Sequence, residues 1–297
     1  MKGDRKKSPI YPTAPTITTI DSPDTTNIVT KFAFATRVGY AANNPGKVNQ
    51  DAFILAPNIL NMQSMHYFGV WDGHGQNGKD VSVLIKQKLP ALLEQHLFNS
   101  QLDIKKSLTQ SFLDCNDILM TNKKFDVYLS GSTWWTALFC GNKIYTANWG
   151  DSRGIIVGRT ALKEELAVRS ATRDHKPSEE DEAKRTIERN GRIDAFKDNY
   201  GQPLGPLRVW LKNDDLPGLA MTRSMGDGCA AEAGVIPDAE IFEFELTSND
   251  MFIVLASDGV WEFMDNELVA KIVAPFYESG SPEAAANAIG MQSILII

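Results

Sequence analysis

Four aspartates in this 297-residue chain stand where an apolar run meets a turn. Asp72 follows Tyr67-Phe-Gly-Val-Trp71 and opens the stretch Asp-Gly-His-Gly, residues 72–75. Asp151 follows the run from Lys143 to Gly150, and Asp258 follows Met251 to Ser257 and precedes Gly259. Asp51 lies on the other side of its run, ahead of Ala52-Phe-Ile-Leu55. One such residue is ordinary turn chemistry, because aspartate hydrogen-bonds its own backbone and tolerates left-handed conformations. Four in like settings would converge if their strands lie side by side. Gathered carboxylates repel one another and hold protons more tightly unless a cation lies among them. Oxygen-only donors suit magnesium, manganese or calcium, and there is no cysteine or histidine cluster to suggest zinc or iron. Gly73 has no side chain, so its carbonyl is able to face an ion directly. His74 adds a group that carries a proton near neutral pH. By itself it reads better as a turn histidine bonded to backbone. Two ions about 4 Å apart would make a hydroxide from a bridging water and clamp an in-line displacement at phosphorus. No calcium loop of the D-x-[DN]-x-[DN]-G type, no Walker A loop and no G-x-S-x-G elbow is present.

The elements that would position these groups are mostly strands. Phe32 to Tyr40 alternates apolar and polar residues as a strand does, and Asn-Pro-Gly then supplies a turn. Further strands are expected at Asp51–Leu55, His66–Trp71, Ser132–Cys140, Lys143–Asn148, Arg153–Val157, Val168–Thr172 and Met251–Ala256. Val81, Leu84, Ile85, Leu89, Leu92 and Leu93 recur at helical spacing and predict a helix over Lys79–Phe98, followed by another over Leu102–Met120. Ser178–Asn190 reads as a charged helix with acidic residues in its first turn, where the helix dipole favours them. Asn266–Phe276 and Pro282–Ile289 complete the helices. Strands in hairpin succession with helices inserted in pairs favour antiparallel sheets over a doubly wound parallel one. Residues 1–30, rich in Thr, Ser, Pro and Lys, read as a loosely attached arm ahead of one domain over 31–297.

Bulk properties narrow the function. Hydrophobic residues make up 43% and charged residues 23%, as in globular domains, and the net charge of −7 argues against phosphate-mediated nucleic-acid binding. Cys115, Cys140 and Cys229 have neither zinc nor disulfide spacing, so a reducing compartment, cytosol or nucleus, is expected. No run nears the roughly 18 apolar residues of a membrane span, and no export signal or myristoylation pattern opens the chain.

Eight stretches in order resemble the metal-dependent serine/threonine protein phosphatases of type 2C. They are KVNQDAF (47–53), VWDGHG (70–75), SGST (130–133), ANWGDSRG (147–154), RDHKP (173–177), ER-NGRI (188–193), LAMTRSMGD (219–227) and LASDGVWEF (255–263). The resemblance implies an α+β fold, a four-layer α-β-β-α sandwich of two antiparallel sheets flanked by helices. It implies a monomeric enzyme that hydrolyses phosphoserine and phosphothreonine in phosphorylated proteins by direct attack of a metal-bound hydroxide. Two Mg²⁺ or Mn²⁺ ions, with a weaker third, would be the cofactors. Asp72 resembles the carboxylate bridging two ions, Gly73 a carbonyl ligand, Asp258 a ligand of the second ion and Asp51 the holder of metal-bound water. Asp151 and Glu262 match the positions that serve the third ion, and His74 resembles the general acid. Arg37 and Lys47 are the candidates for the substrate phosphate, Arg37 being favoured for its fork geometry. Ser132 and Thr133 are expected to pack the sheet, Arg153 to make a structural ion pair, and Arg223 and Asp227 to lie in a turn beneath the site. Residues 178–225 correspond to the family's variable flap, whose individual residues, Trp210 among them, read as solvated loop. One departure stands out. Ile294–Ile297 could form the family's closing strand, yet no aspartate precedes it where the family carries a metal ligand. That departure leaves open a non-catalytic relative that binds a phosphoprotein or kinase partner.

Overall fold

The computed structural model describes residues 18–19, 28–39, 46–160 and 165–296. The N-terminal arm expected over residues 1–30 falls largely outside them. Two short strands, β1 (Thr18–Thr19) and β2 (Lys31–Phe32), pair with each other. The chain continues through β3 (Ala52–Pro57), β4 (Met65–His74), α1 (Gly78–Asn99), α2 (Ile104–Met120), β5 (Gly131–Cys140) and β6 (Lys143–Trp149). Next come β7 (Arg153–Arg159), β8 (Leu166–Ser170), α3 (Glu180–Glu188), β9 (Gly191–Lys197), β10 (Pro203–Leu211), β11 (Pro217–Leu219) and β12 (Met225–Gly226). The last elements are α4 (Gly228–Glu232), β13 (Glu240–Glu245), β14 (Asp250–Ala256), α5 (Asp258–Trp261), α6 (Asn266–Glu278) and α7 (Pro282–Ile296).

The strands form two main antiparallel sheets. One runs in the order β13-β6-β5-β4-β3, with β12 added against β5, and the other in the order β14-β7-β8. Three apolar clusters join four layers. Phe68, Trp135, Phe139 and Ile144 of the first sheet meet Ile156 of the second, with Ile253 and Leu255 packed alongside. On the outer face of the first sheet, Trp71, Trp134 and Trp149 pack against Val81, Ile85 and Leu89 of α1 and Phe112 of α2. On the outer face of the second, Ile155, Val157 and Val254 meet Val269 and Val273 of α6 and Ala285 and Ile289 of α7. The expected α-β-β-α sandwich is therefore present.

Local rules account for the element ends. The Asp103 carboxylate accepts from the Lys106 amide at 3.2 Å and starts α2, and Asp265 accepts from the Leu268 amide at 2.7 Å and starts α6. The indoles of Trp134 and Trp149 lie edge to face at 4.6 Å, with Phe112 edge-on to both, and fill the core between the first sheet and α2.

Four expectations are corrected. The predicted strand over Phe32–Tyr40 survives only as Lys31–Phe32; Ala33–Gly39 is not strand, and Tyr40 lies outside the described residues. Alternation makes a strand only where a neighbour supplies hydrogen bonds, and among the described residues Thr18–Thr19 alone pairs with this segment. Strand β4 does not stop at Trp71 but runs through Asp72 and Gly73 to His74, because β5 keeps pairing with it as far as Gly131. The flap is not solvated loop. β9, β10 and β11 form a three-stranded sheet in which Trp210 is buried and its indole N–H donates to the Asp194 carbonyl at 2.9 Å. Finally, Ile294 to Ile296 continue α7 rather than forming a closing strand.

Candidate active site

The ends of three strands and one short helix bring the acidic residues together. Asp72 lies near the end of β4, opposite Thr133 of β5. Asp51 immediately precedes β3, whose Ala52 pairs with Trp71. Asp151 occupies the tight turn between β6 and β7, where Gly150 adopts φ +82°. Asp258 is the first residue of α5, just past β14. Asp51 and Asp258 come from opposite sheets, yet Ser257 Oγ donates to Asp51 Oδ2 at 3.1 Å and ties the two strand ends together. The Asp51 main chain is fixed separately, its amide donating to Asn49 Oδ1 at 2.9 Å and its carbonyl accepting from Lys79 Nζ at 3.2 Å.

The electrostatics record how close these groups are. Burial pushes the Asp72 carboxyl well above the ordinary carboxylate range, and the charges of Asp258, Asp51 and Asp151 push it further. The Asp72 side chain lies against those of both Asp51 and Asp258. Burial raises Asp51 as well; Asp258 adds to the rise, while Ser257, Asp72 and Lys47 oppose it. Asp151, 8% exposed, is pushed up to about 7, first by burial and then by the charge of Asp258, against the pull of Lys176. Asp72 thus lies where three neighbouring carboxylates converge. Among the described residues, no group of three or more His, Cys, Asp or Glu side chains is arranged to close on a metal ion. The donor chemistry nonetheless fits a hard divalent cation. The donors are all oxygen, they come from separate elements, and a cation among them would relieve their mutual repulsion.

Gly73 is enclosed. A Cβ there would overlap the Gly78 carbonyl and approach the Gln50 carbonyl, so no larger residue fits between β4 and the start of α1. Glu262 lies exposed one turn beyond Asp258, its amide donating to the Asp258 carbonyl at 2.8 Å. A cavity of about 930 Å³ opens beside Asp51, Asp72 and Asp258, and both phosphate candidates line it. Arg37 turns toward α7, donating to Asn287 Oδ1 at 3.4 Å. Lys47 lies close enough to Asp51 to oppose its rise in pKa. As expected, Ser132 and Thr133 are buried in the sheet, with Ser132 Oγ donating to the Asp72 carbonyl at 3.0 Å. Arg153 makes a two-pronged ion pair with Asp174 at 2.9 and 2.7 Å.

His74 ends β4 beside this cluster, and its Nε2 lies 2.6 Å from Asp227 Oδ2. Burial pulls the imidazole pKa down, but the charge and hydrogen bond of Asp227, with Asp151 and Asp258 beyond, outweigh it and hold the pKa above its usual value. This partner was not apparent from the residue pattern. Asp227 lies 153 positions away, in a Gly-Asp-Gly stretch that reads only as a turn.

Known proteins agree with this architecture. The family description "Protein phosphatase 2C" matches residues 39–295. The Arabidopsis thaliana protein named "Probable protein phosphatase 2C 61" is 39% identical over 245 residues, covering 82% of this chain and 72% of that one. "Probable protein phosphatase 2C 35" of the same plant is 31% identical, covering 86% of this chain and 77% of the relative. "Probable protein phosphatase 2C 64" of Oryza sativa subsp. japonica is 35% identical, but the matched region covers only 53% of it. Among solved structures, the serine-threonine phosphatase 2C of Toxoplasma gondii superposes with a TM-score of 0.77 at 17% identity, over 95% of this chain and 93% of that one. The fold and the acidic strand ends define a phosphatase-type sandwich. The chain belongs to the protein phosphatase 2C family of serine/threonine protein phosphatases.

Proposed function

We propose that the chain removes phosphate from phosphoserine and phosphothreonine in phosphorylated proteins, using Mg²⁺ or Mn²⁺. The observation that carries this reading is the convergence of Asp51, Asp72 and Asp258, each close enough to shift the pKa of another, beside Asp151 and His74. Asp51, Asp72, Asp258 and the Gly73 carbonyl would hold two ions, and Asp151 with Glu262 a weaker third. When bound, such ions supply positive charge at the phosphate and make water a nucleophile at neutral pH.

The chain's own groups do the rest. Lys47, close to Asp51, offers a cation for the phosphate dianion, and its placement favours it over Arg37, which is turned toward Asn287. His74, its Nε2 2.6 Å from Asp227 Oδ2 and its pKa raised against burial chiefly by that carboxylate, is placed to give a proton to the leaving serine or threonine oxygen. Enclosure of Gly73 between β4 and α1 keeps its peptide rigid beside Asp72. The test is hydrolysis of a phosphothreonine peptide with Mn²⁺, with chelator added, and with the Asp72→Asn variant. Turnover that needs the ion and vanishes in the variant supports the reading. Equal turnover with and without chelator sinks it.

A further inference from the structure

The His74–Asp227 contact carries an inference beyond the general acid itself, though it rests on that reading of His74. Asp227 is only 3% exposed and sits in the left-handed conformation, φ 48° and ψ 53°, which aspartate tolerates better than most non-glycine residues. Its amide donates to the Ser130 carbonyl at 3.0 Å, and Ser224 Oγ donates to the same carboxylate oxygen that faces His74. Directly across the ladder from His74 stands Gly131, where a Cβ would overlap the Asp227 carboxyl. The main chain, a hydroxyl and a glycine gap therefore aim one buried carboxylate at one ring nitrogen. The pairing spans 153 positions, so it is a tertiary feature and not a by-product of local turn geometry.

We propose that Asp227 is a positioning residue that grips His74 through Nε2 and thereby presents Nδ1 to the leaving group. In the chemical step, a water oxygen bonds to phosphorus and releases a proton to solvent, while the bond from phosphorus to the leaving oxygen breaks with its electron pair going to that oxygen. That oxygen takes the proton from Nδ1. The ring keeps its Nε2 proton on Asp227 and regains the other from water. A carboxylate that fixes the tautomer and rotation of an acid–base histidine acts in the same way as the third member of a hydrolase triad. Ser224 holds the carboxylate from behind, and Gly131 leaves the room it needs.

The test compares leaving groups in the full chain with Mn²⁺. A serine or threonine alkoxide needs the proton; the phenolate of p-nitrophenyl phosphate does not. Asp227→Asn should lower kcat on a phosphothreonine peptide about 100-fold while lowering kcat on p-nitrophenyl phosphate less than about threefold, with KM for both little changed. Ser224→Ala should show the same selectivity with a smaller loss, about 10-fold on the peptide. Equal loss on both substrates, or none on either, overturns the proposal. His74→Ala is the control for the underlying reading. If it shows the leaving-group selectivity and Asp227→Asn does not, only the positioning role fails. If His74→Ala shows none, the acid assignment fails and the positioning role with it. Should Asp227→Asn not fold, nitrogen-15 shifts of the His74 ring in the unmodified chain decide at alkaline pH. A neutral ring protonated on Nε2 supports the grip, and one protonated on Nδ1 alone overturns it.

Discussion

Asp72 concentrates the chemistry of the site in one side chain, because it lies among Asp51, Asp258 and Asp151 and feels the charge of each. Asp72→Asn keeps the shape but removes the central charge, so Mn²⁺-dependent peptide turnover should fall at least about 100-fold, the upper range seen even for groups one shell further out. Asp151→Asn should cost less, because that carboxyl sits at the edge of the cluster. At the phosphate, Lys47→Ala should weaken inhibition by inorganic phosphate about 10-fold, the worth of one charge-assisted hydrogen bond, while Arg37→Ala leaves it within about twofold. Inhibition constants for the two variants check this, and a reversed order would return the role to Arg37. At this scale the convergence of Asp51, Asp72, Asp151 and Asp258 was legible in the sequence, since each adjoins an apolar run that becomes a strand. The grip of Asp227 on His74 was not. A left-handed turn residue reveals its partner only once β4, β5 and β12 have assembled around it.

Among the elements, the long helices and the strands of both sheets were readable, because periodicity and alternation report the side facing a core. The flap sheet was hidden. Residues 203–206, Pro-Leu-Gly-Pro, and Gly218 interrupt any alternation, and the register of β10 against β9 shifts between Leu204 and Leu207. What holds the sheet is Trp210, wedged beside Gly218 and edge-on to Phe196 at 5.1 Å. Trp210→Ala should therefore loosen this sheet locally by about 3 kcal/mol, in line with large-to-small core changes. Hydrogen exchange is the check: amides of 191–219 should exchange faster while those of β4 and β5 do not change. Ala33–Gly39 erred in the opposite direction. Its alternation reads as strand, but Phe34 instead packs on the Phe53 ring at 4.3 Å without a strand partner.

At the scale of the whole molecule, a buried ion-paired cluster around α3 supports the sandwich. Glu182 of α3 is fully buried and accepts hydrogen bonds from Arg185, Arg223 and Thr222. Burial alone would raise its carboxyl; these partners outweigh burial and hold it well below its ordinary value of 4.5. A carboxylate depressed in the folded state stabilises it above the unfolded value, and that contribution is lost as pH falls below it. Thermal unfolding between pH 3 and 7 should show the melting temperature dropping below about pH 4.5 more steeply for the native chain than for Glu182→Gln. At neutral pH the variant should be less stable by about 3–5 kcal/mol, because two arginines lose a buried partner. Ions that bind only the folded form should raise stability by about 2.7 kcal/mol at a hundredfold excess over Kd, seen as an upward shift in the melting temperature. All of these expectations depend on aspartates from two sheets meeting at one end of the sandwich to hold hard cations. Calorimetric titration of Mn²⁺ into the full chain and into Asp72→Asn tests that point most directly. The account predicts saturable binding in the native chain that is lost or greatly weakened in the variant. Absence of saturable binding, or binding indifferent to Asp72, would contradict it.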